Sequence, residues 1–495
     1  MYIGELMTES GVIFGTSGAR GVAADMTDRV CYAYAVGFLQ YLMKGGLLNK
    51  GQPVGLAGDH RPSTERIMAA CARAVSDLGC RPRNFGRIPT PALASFGIAN
   101  GMPTMMVTGS HIPDDRNGIK FNLPSGEILK EDEAGIRRQQ VVLPSGLFDA
   151  EGNLVPGQAS CLPAEEPVAL DDYVARYLDF FPADCLEGAR IGVYEHSSVA
   201  RACLSTVLGG LGAEVERFGY SDIFIPVDTE AIRPEDVVLA RDWGGTGRFD
   251  ALVSADGDGD RPLVSDEHGE WLRGDVAGVL CARHLGAEGV VTPVSSNTVL
   301  EKSGWFGHIS RTRIGSPYVI AGMQQLRRQG VGKVVGYEAN GGFLTASDLR
   351  RGDAVLKALP TRDAVIVAVA VILSAKEQGK PISALVADLP ARFTVSDRIK
   401  EYPTEISQAR ISGFICGDAS RNKAAVEAVF GQWFGAVADL DTTDGLRITF
   451  KNGDIAHLRP SGNAPEMRAY TEADTARRAA EMNAICMELL AGWRT

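Results

Sequence analysis

The chain has no Cys-x-x-Cys pair, and its nine cysteines are scattered and odd in number. Buried free thiols in a reducing cytosol are therefore the expectation. Positive charge is scarce as well. Fifty Lys and Arg face 61 Asp and Glu, for a net charge of −11, which argues against nucleic acid or an anionic membrane surface as partner. Long apolar runs are missing. The longest, residues 364–373, falls far short of the ~20 residues a membrane helix needs and reads as a buried helix. Residues 1–15 contain no Lys or Arg, so no signal peptide is expected there. A cytoplasmic protein, monomer or dimer, follows as the expectation. What is present is ordinary globular composition, 45% hydrophobic and 22% charged over 495 residues. At about 150 residues per domain, that length suggests three to four domains.

The organisation repeats. Residues 53–57 read as a strand, followed by the polar turn Gly58-Asp59-His60-Arg61-Pro62-Ser63 and a helix through Leu78. The same outline recurs as strand 190–194, turn Glu195-His196-Ser197-Ser198 and helix 199–211, and again as strand 289–294 with turn Ser295-Ser296-Asn297. After each unit comes a second strand (104–107, 251–254, 333–336) that ends in a polar loop. Three such copies predict three related α/β domains, with ligands at the carboxyl ends of the strands. The last hundred residues differ. Alternating stretches 445–450 and 455–458 around Asn452-Gly453 predict a two-residue hairpin, then a strand and a closing amphipathic helix. The predicted fold class is α/β: three related α/β domains plus a C-terminal α+β domain around a central cleft. The boundaries expected are 1–155, 168–274, 275–388 and 392–495.

Four loops carry chemistry. Val107-Thr108-Gly109-Ser110-His111 presents a serine, with Lys120 ten residues on. A serine is a poor nucleophile without a base, a positive field or a metal beside it. Alone, Ser110 reads better as a turn residue or helix N-cap than as a nucleophile, and His111 as structural. Asp256-Gly257-Asp258-Gly259-Asp260-Arg261 places three carboxylates at alternate positions, a hard oxygen set suited to Mg²⁺. An EF-hand is disfavoured because Arg261 stands where its glycine belongs and Pro262 follows. Glu338-Ala339-Asn340-Gly341-Gly342 offers a carboxylate and an amide for sugar hydroxyls. Arg459-Pro460-Ser461-Gly462-Asn463 suits a phosphate dianion, with Arg468 adding charge unless it faces solvent. Phe14-Gly15-Thr16-Ser17-Gly18-Ala19-Arg20-Gly21 is either an anion clamp over the site or a plain N-terminal turn.

These motifs, in this order and nearly end to end, resemble the α-D-phosphohexomutase family. The resemblance implies a reversible shift of phosphate between C1 and C6 of a hexose, with mannose favoured over glucose or glucosamine. It implies a phosphorylated Ser110 and one Mg²⁺ held by Asp256, Asp258, Asp260 and that phosphoserine. His111, Lys120 and Arg261 would flank the transfer, with Arg20 leaning into the cleft. Glu338, Asn340 and Gly341 would meet the sugar, while Arg459, Ser461, Gly462, Asn463 and Arg468 would hold the phosphate that is not reacting. A hexose 1,6-bisphosphate would be both intermediate and activator. A Mg²⁺-dependent sugar phosphatase and a non-catalytic sugar-phosphate sensor are the rival readings. The chain departs from the family pattern where many relatives read Gly-Glu-x-Ser-Gly-His. Here Asn340 replaces the serine and Gly342 the histidine. Gly109 stands where some relatives carry alanine, a difference expected to be minor.

Overall fold

The computed structural model describes residues 1–15, 18–158, 162–461 and 465–494. Three sheets share one plan: two parallel strands flank a central strand, and an antiparallel strand closes the edge beyond one of them. In the first sheet the order is Arg81–Asn84, Pro53–Gly58, Thr104–Val107, Arg116–Leu123. In the second it is Glu214–Tyr220, Arg190–His196, Ala251–Ala255, Pro262–Val264. In the third it is His308–Thr312, Gly289–Pro293, Val334–Tyr337, Phe343–Thr345. The first sheet extends further through Gly18–Val22, paired to Arg116–Leu123, and Ile13–Phe14. Strands such as Ala251–Ala255 and Gly289–Pro293 are buried at every residue, the pattern of a sheet covered by helices on both faces.

The three loops singled out in the sequence leave equivalent points. Ser110 follows Thr104–Val107, Asp256 follows Ala251–Ala255, and Glu338 follows Val334–Tyr337. Each loop turns the chain into the antiparallel strand. Those closing strands were not foreseen, since Pro262–Val264 and Phe343–Thr345 are too short to show alternation. The fourth sheet is wholly antiparallel, in the order Phe393–Ile399, Met467–Ala473, Ile455–Pro460, Leu446–Phe450, Val437–Asp441. Its hairpin is looser than the two-residue turn expected. The Phe450 amide donates to the Asp454 carbonyl, and Gly453 takes φ +88°, the left-handed residue that ends a three-residue loop. The apolar run 364–373 does form a buried helix, Ala364–Gln378, whose N-cap Asp363 accepts from the amides of Val365 and Ile366. Among the described residues, no helix is long and apolar enough to cross a membrane. The described cysteines are free thiols.

Two buried histidines make stability depend on pH. Burial pushes His196 and His457 down to about 4 from the ordinary 6.5, although each ring hydrogen-bonds a backbone carbonyl. The folded state therefore refuses a proton that the unfolded state accepts. Stability is full above pH 6.5 and falls until pH 4, by roughly 3 kcal/mol per histidine. Unfolding midpoints in urea measured from pH 7.5 to 4.5 should show this decline. His457→Gln should flatten the slope, and an unchanged slope in that variant would refute the assignment.

Candidate active site

Ser110 is buried and adopts φ 58°, a left-handed conformation uncommon for a residue with a side chain. That turn directs Oγ to Asp256, to which it donates a 2.5 Å hydrogen bond. The loop is held from beneath. Thr108 Oγ1 accepts from the Ser110 amide and donates to Asp59. Arg61, 1% exposed, pairs with Asp59 at 3.0 Å and donates to the carbonyls of Ser110, Ile112, Pro113 and Arg116. A Cβ at position 109 would lie 2.5 Å from the Arg61 guanidinium carbon. The Gly109 difference is thus not minor: here glycine makes room for the arginine that shapes the serine turn.

The metal loop meets this turn closely. A Cβ on Gly257 would come within 2.8 Å of the Ser110 carbonyl oxygen, so glycine is required for the approach. Asp256, Asp258 and Asp260 are each fully buried, with one oxygen from each within 4.8 Å of the others. Asp256 Oδ1 accepts from the amides of Asp260 and Arg261 and so closes its own loop. Thr90 anchors Asp258 by both its amide and its hydroxyl, and Ser198 donates to the Asp256 carbonyl. Three cations face the three carboxylates. Lys120 reaches Asp258 at 2.6 Å and Asp260 at 2.5 Å, Arg261 lies 3.6 Å from Asp260, and Arg362 lies 3.0 Å from Asp260.

Charge state follows from these neighbours. Burial, with Asp258 and Asp260, pushes Asp256 well above the usual carboxylate range. Burial alone would also raise Asp260, but Arg362, Lys120 and Arg261 outweigh it and hold Asp260 low. For Lys120 burial acts downward, yet Asp258 and Asp260 prevail and keep it above an ordinary lysine. Burial, then Arg261 and Arg20, drives His111 well below 6.5. Its Nδ1 faces Arg261 Nη1 at 2.8 Å, so a neutral ring accepts there and carries its hydrogen on Nε2.

The carboxylate cluster fits a hard divalent cation. Asp258 Oδ1 and Asp260 Oδ1 are buried and accept no hydrogen bond among the described residues. A native fold rarely leaves such oxygens unsatisfied, and oxygen donors of this kind suit Mg²⁺.

The remaining expected residues divide. Arg20 lies on Gly18–Val22, opposite Gly118 of the Lys120 strand. Burial, then Arg261 and Arg61, lowers it to about 10, so it shares their neighbourhood; Thr16 and Ser17 of the glycine-rich segment lie outside the described residues. Glu338 is buried and lies 3.5 Å from Arg362. Asn340 turns partly inward, since its Oδ1 accepts from the Gly342 amide, and its side-chain Nδ2 stays available for a ligand. Gly341 takes φ 89° in the same turn. Arg459 and Arg468 pair on their own sheet, with Asp444 and Glu466, each at 3.0 Å. The Ser461 amide donates to the Glu466 carbonyl. Gly462 and Asn463 lie outside the described residues. Burial and then Asp228 raise the Glu230 carboxyl, against the pull of Arg468, Arg273 and Arg261.

Three family models match the chain. They are described as phosphoglucomutase/phosphomannomutase alpha/beta/alpha domain I over residues 11–140, domain III over 273–393, and the C-terminal domain over 415–489. The chain belongs to the phosphoglucomutase/phosphomannomutase family. Curated relatives include the phosphomannomutase of Salmonella muenchen, 41% identical over 95% of this chain and 94% of that protein. The phosphomannomutase of Sinorhizobium fredii is 44% identical over 93% of this chain and 95% of that one. A crystal structure of a phosphoglucomutase/phosphomannomutase family protein from Burkholderia thailandensis shares the fold. Its TM-score is 0.71 at 19% identity, covering 97% of each chain. Family membership and these relatives make the chain an enzyme of hexose phosphate metabolism, a phosphotransferring isomerase.

Sequence reasoning left several site residues without a role. The turn holding Asp59 and Arg61 and the one holding Ser198 were recognised as turns only. Thr90, Glu230 and Arg362 carried no local signal.

Proposed function

We propose that this chain is a phosphomannomutase that moves phosphate between the C6 and C1 oxygens of mannose phosphate. Phosphorylated Ser110 would give its phosphoryl group to the free hydroxyl, forming a hexose 1,6-bisphosphate. That intermediate would turn round in the cleft and return its other phosphate to Ser110. The observation that carries this reading is the buried Ser110 hydroxyl, 2.5 Å from the Asp256 carboxylate within a cluster of three aspartates.

Asp256, Asp258, Asp260 and the phosphoserine would hold Mg²⁺, which supplies Lewis-acid neutralisation of phosphoryl charge when bound. Lys120 and Arg261 add fixed positive charge beside the transferring oxygens, where catalysis of this kind chiefly arises. In the unphosphorylated state the Ser110 proton rests on the bond to Asp256 Oδ2. His111, neutral with Nδ1 engaged by Arg261, offers Nε2–H as a donor. Arg20 adds charge at the same wall. Glu338, Asn340 and Gly341 would receive the sugar hydroxyls. Arg459, Ser461, Gly462, Asn463 and Arg468 would hold the phosphate at the other end, leaving sugar discrimination to the Glu338 turn.

The test is a coupled assay of mannose, glucose and glucosamine 1-phosphates side by side on fully dephosphorylated protein. Mannose 1-phosphate should give the highest kcat/KM, and turnover should wait for a trace of hexose 1,6-bisphosphate. Release of inorganic phosphate as the main product, or immediate turnover without the bisphosphate, would refute the scheme.

A further inference from the structure

Arg362 follows the third sheet and immediately precedes the helix Ala364–Gln378. Its backbone is pinned on both sides. Thr361 donates to Glu127 of the first sheet at 2.6 Å. Asp363 accepts from Tyr173 at 2.8 Å and from Tyr177, both on the helix Val168–Leu178, while the Asp363 amide donates to the Phe343 carbonyl. Elements of the first and third sheets, together with the helix Val168–Leu178, thus fix where this one side chain starts. The side chain is 4% exposed. One nitrogen lies 3.0 Å from Asp260 Oδ2 in the metal loop, and the other lies 3.5 Å from Glu338 Oε2 in the sugar turn.

Gly342 creates the passage for it. A Cβ at that position would stand 2.5 Å from both Cγ and Cδ of Arg362 and 3.1 Å from its Cβ. Those are the stem atoms of the side chain and not its free end, so any larger residue at 342 must displace the arginine. The turn carrying Glu338 is otherwise rigid. The Glu338 amide donates to the Gly342 carbonyl, Gly342 donates to Asn340 Oδ1, and Thr229 donates to the Asn340 carbonyl.

We propose that Arg362 is a positioning residue that sets sugar discrimination, by fixing the Glu338 carboxylate at a constant distance from the metal loop. This rests on the mutase reading above. A planar fork holds two carboxylates in a defined relation that a single ammonium cannot reproduce. Epimers differ in where one hydroxyl lies relative to the phosphoryl group being transferred. A rigid link between the hydroxyl-binding carboxylate and the phosphoryl-binding loop converts that difference into a rate difference. Through Gly342, the same link explains why the turn carries no side chain at that place.

Three variants test it: Arg362→Ala, Arg362→Lys and Gly342→Ala. Two readouts are taken: kcat and KM for mannose and glucose 1-phosphates, and the Mg²⁺ dissociation constant of the unphosphorylated protein by calorimetry. For Arg362→Ala, KM for mannose 1-phosphate should rise about tenfold and the mannose-to-glucose preference should shrink comparably. Mg²⁺ affinity should stay within about threefold or tighten, because a cation beside Asp260 has gone. Gly342→Ala should reproduce the loss of preference. Arg362→Lys keeps the charge and so the fold and metal affinity, and should still lack the preference; it decides the matter if the alanine variant does not fold. The proposal is overturned if Mg²⁺ affinity collapses with KM, if Arg362→Lys restores the full preference, or if Gly342→Ala is silent. Wild-type protein that interconverts neither sugar phosphate would instead refute the mutase reading itself.

Discussion

Ser110→Ala is expected to abolish mutase turnover, by at least about 10⁴-fold, while leaving the fold intact. The serine hydroxyl is aimed at the carboxylate cluster through its bond to Asp256. Its removal costs little elsewhere. The turn is held through the backbone by Thr108 and Arg61, and neither contact uses Oγ. Alanine meets the same left-handed backbone at φ 58° as serine does, so no new strain arises. Mass spectrometry after incubation with hexose 1,6-bisphosphate should find no phosphorylated protein, and the melting temperature should be nearly unchanged. Near-normal turnover would remove Ser110 from the mechanism.

The second large effect concerns Asp258. Asp258→Asn should abolish the response to Mg²⁺ and lower activity about 10³-fold, yet leave the metal-free protein at least as stable as the wild type. The asparagine keeps an acceptor oxygen for Thr90 and Lys120, which both bind Asp258 now. It removes one of three fully buried carboxylates, and burial, then Asp258 and Asp260, raises Asp256. Wild-type protein should gain about 2.7 kcal/mol of stability at Mg²⁺ a hundredfold above its dissociation constant, and the variant should gain none. Equal stabilisation of the two by Mg²⁺ would show that the ion binds elsewhere.

The sequence revealed the parts of this site that announce themselves locally. Gly257 and Gly259 between carboxylates, Ser110 at the end of a strand, and the three recurring strand–turn–helix units are short-range patterns. The structure adds what brings them into register. Arg61 and Arg362 were illegible because arginine is ordinarily a surface residue. Only the folded chain shows that one lies under the serine turn and the other between two loops 78 positions apart in the sequence, at Asp260 and Glu338. Thr90 was illegible for the same reason, since its partner Asp258 belongs to another sheet. Asn340 was read by its chemistry as a sugar ligand. Its orientation, with Oδ1 turned to Gly342, is a property of the turn that no composition reveals.

One apolar cluster runs without a break from Ala57 to Leu389, drawing residues from all three related sheets, whereas the last sheet has a separate interior between Tyr402 and Leu490. A chain built this way carries its terminal portion as a cassette. A substitution inside that terminal interior should therefore leave the apolar packing beneath the aspartates undisturbed.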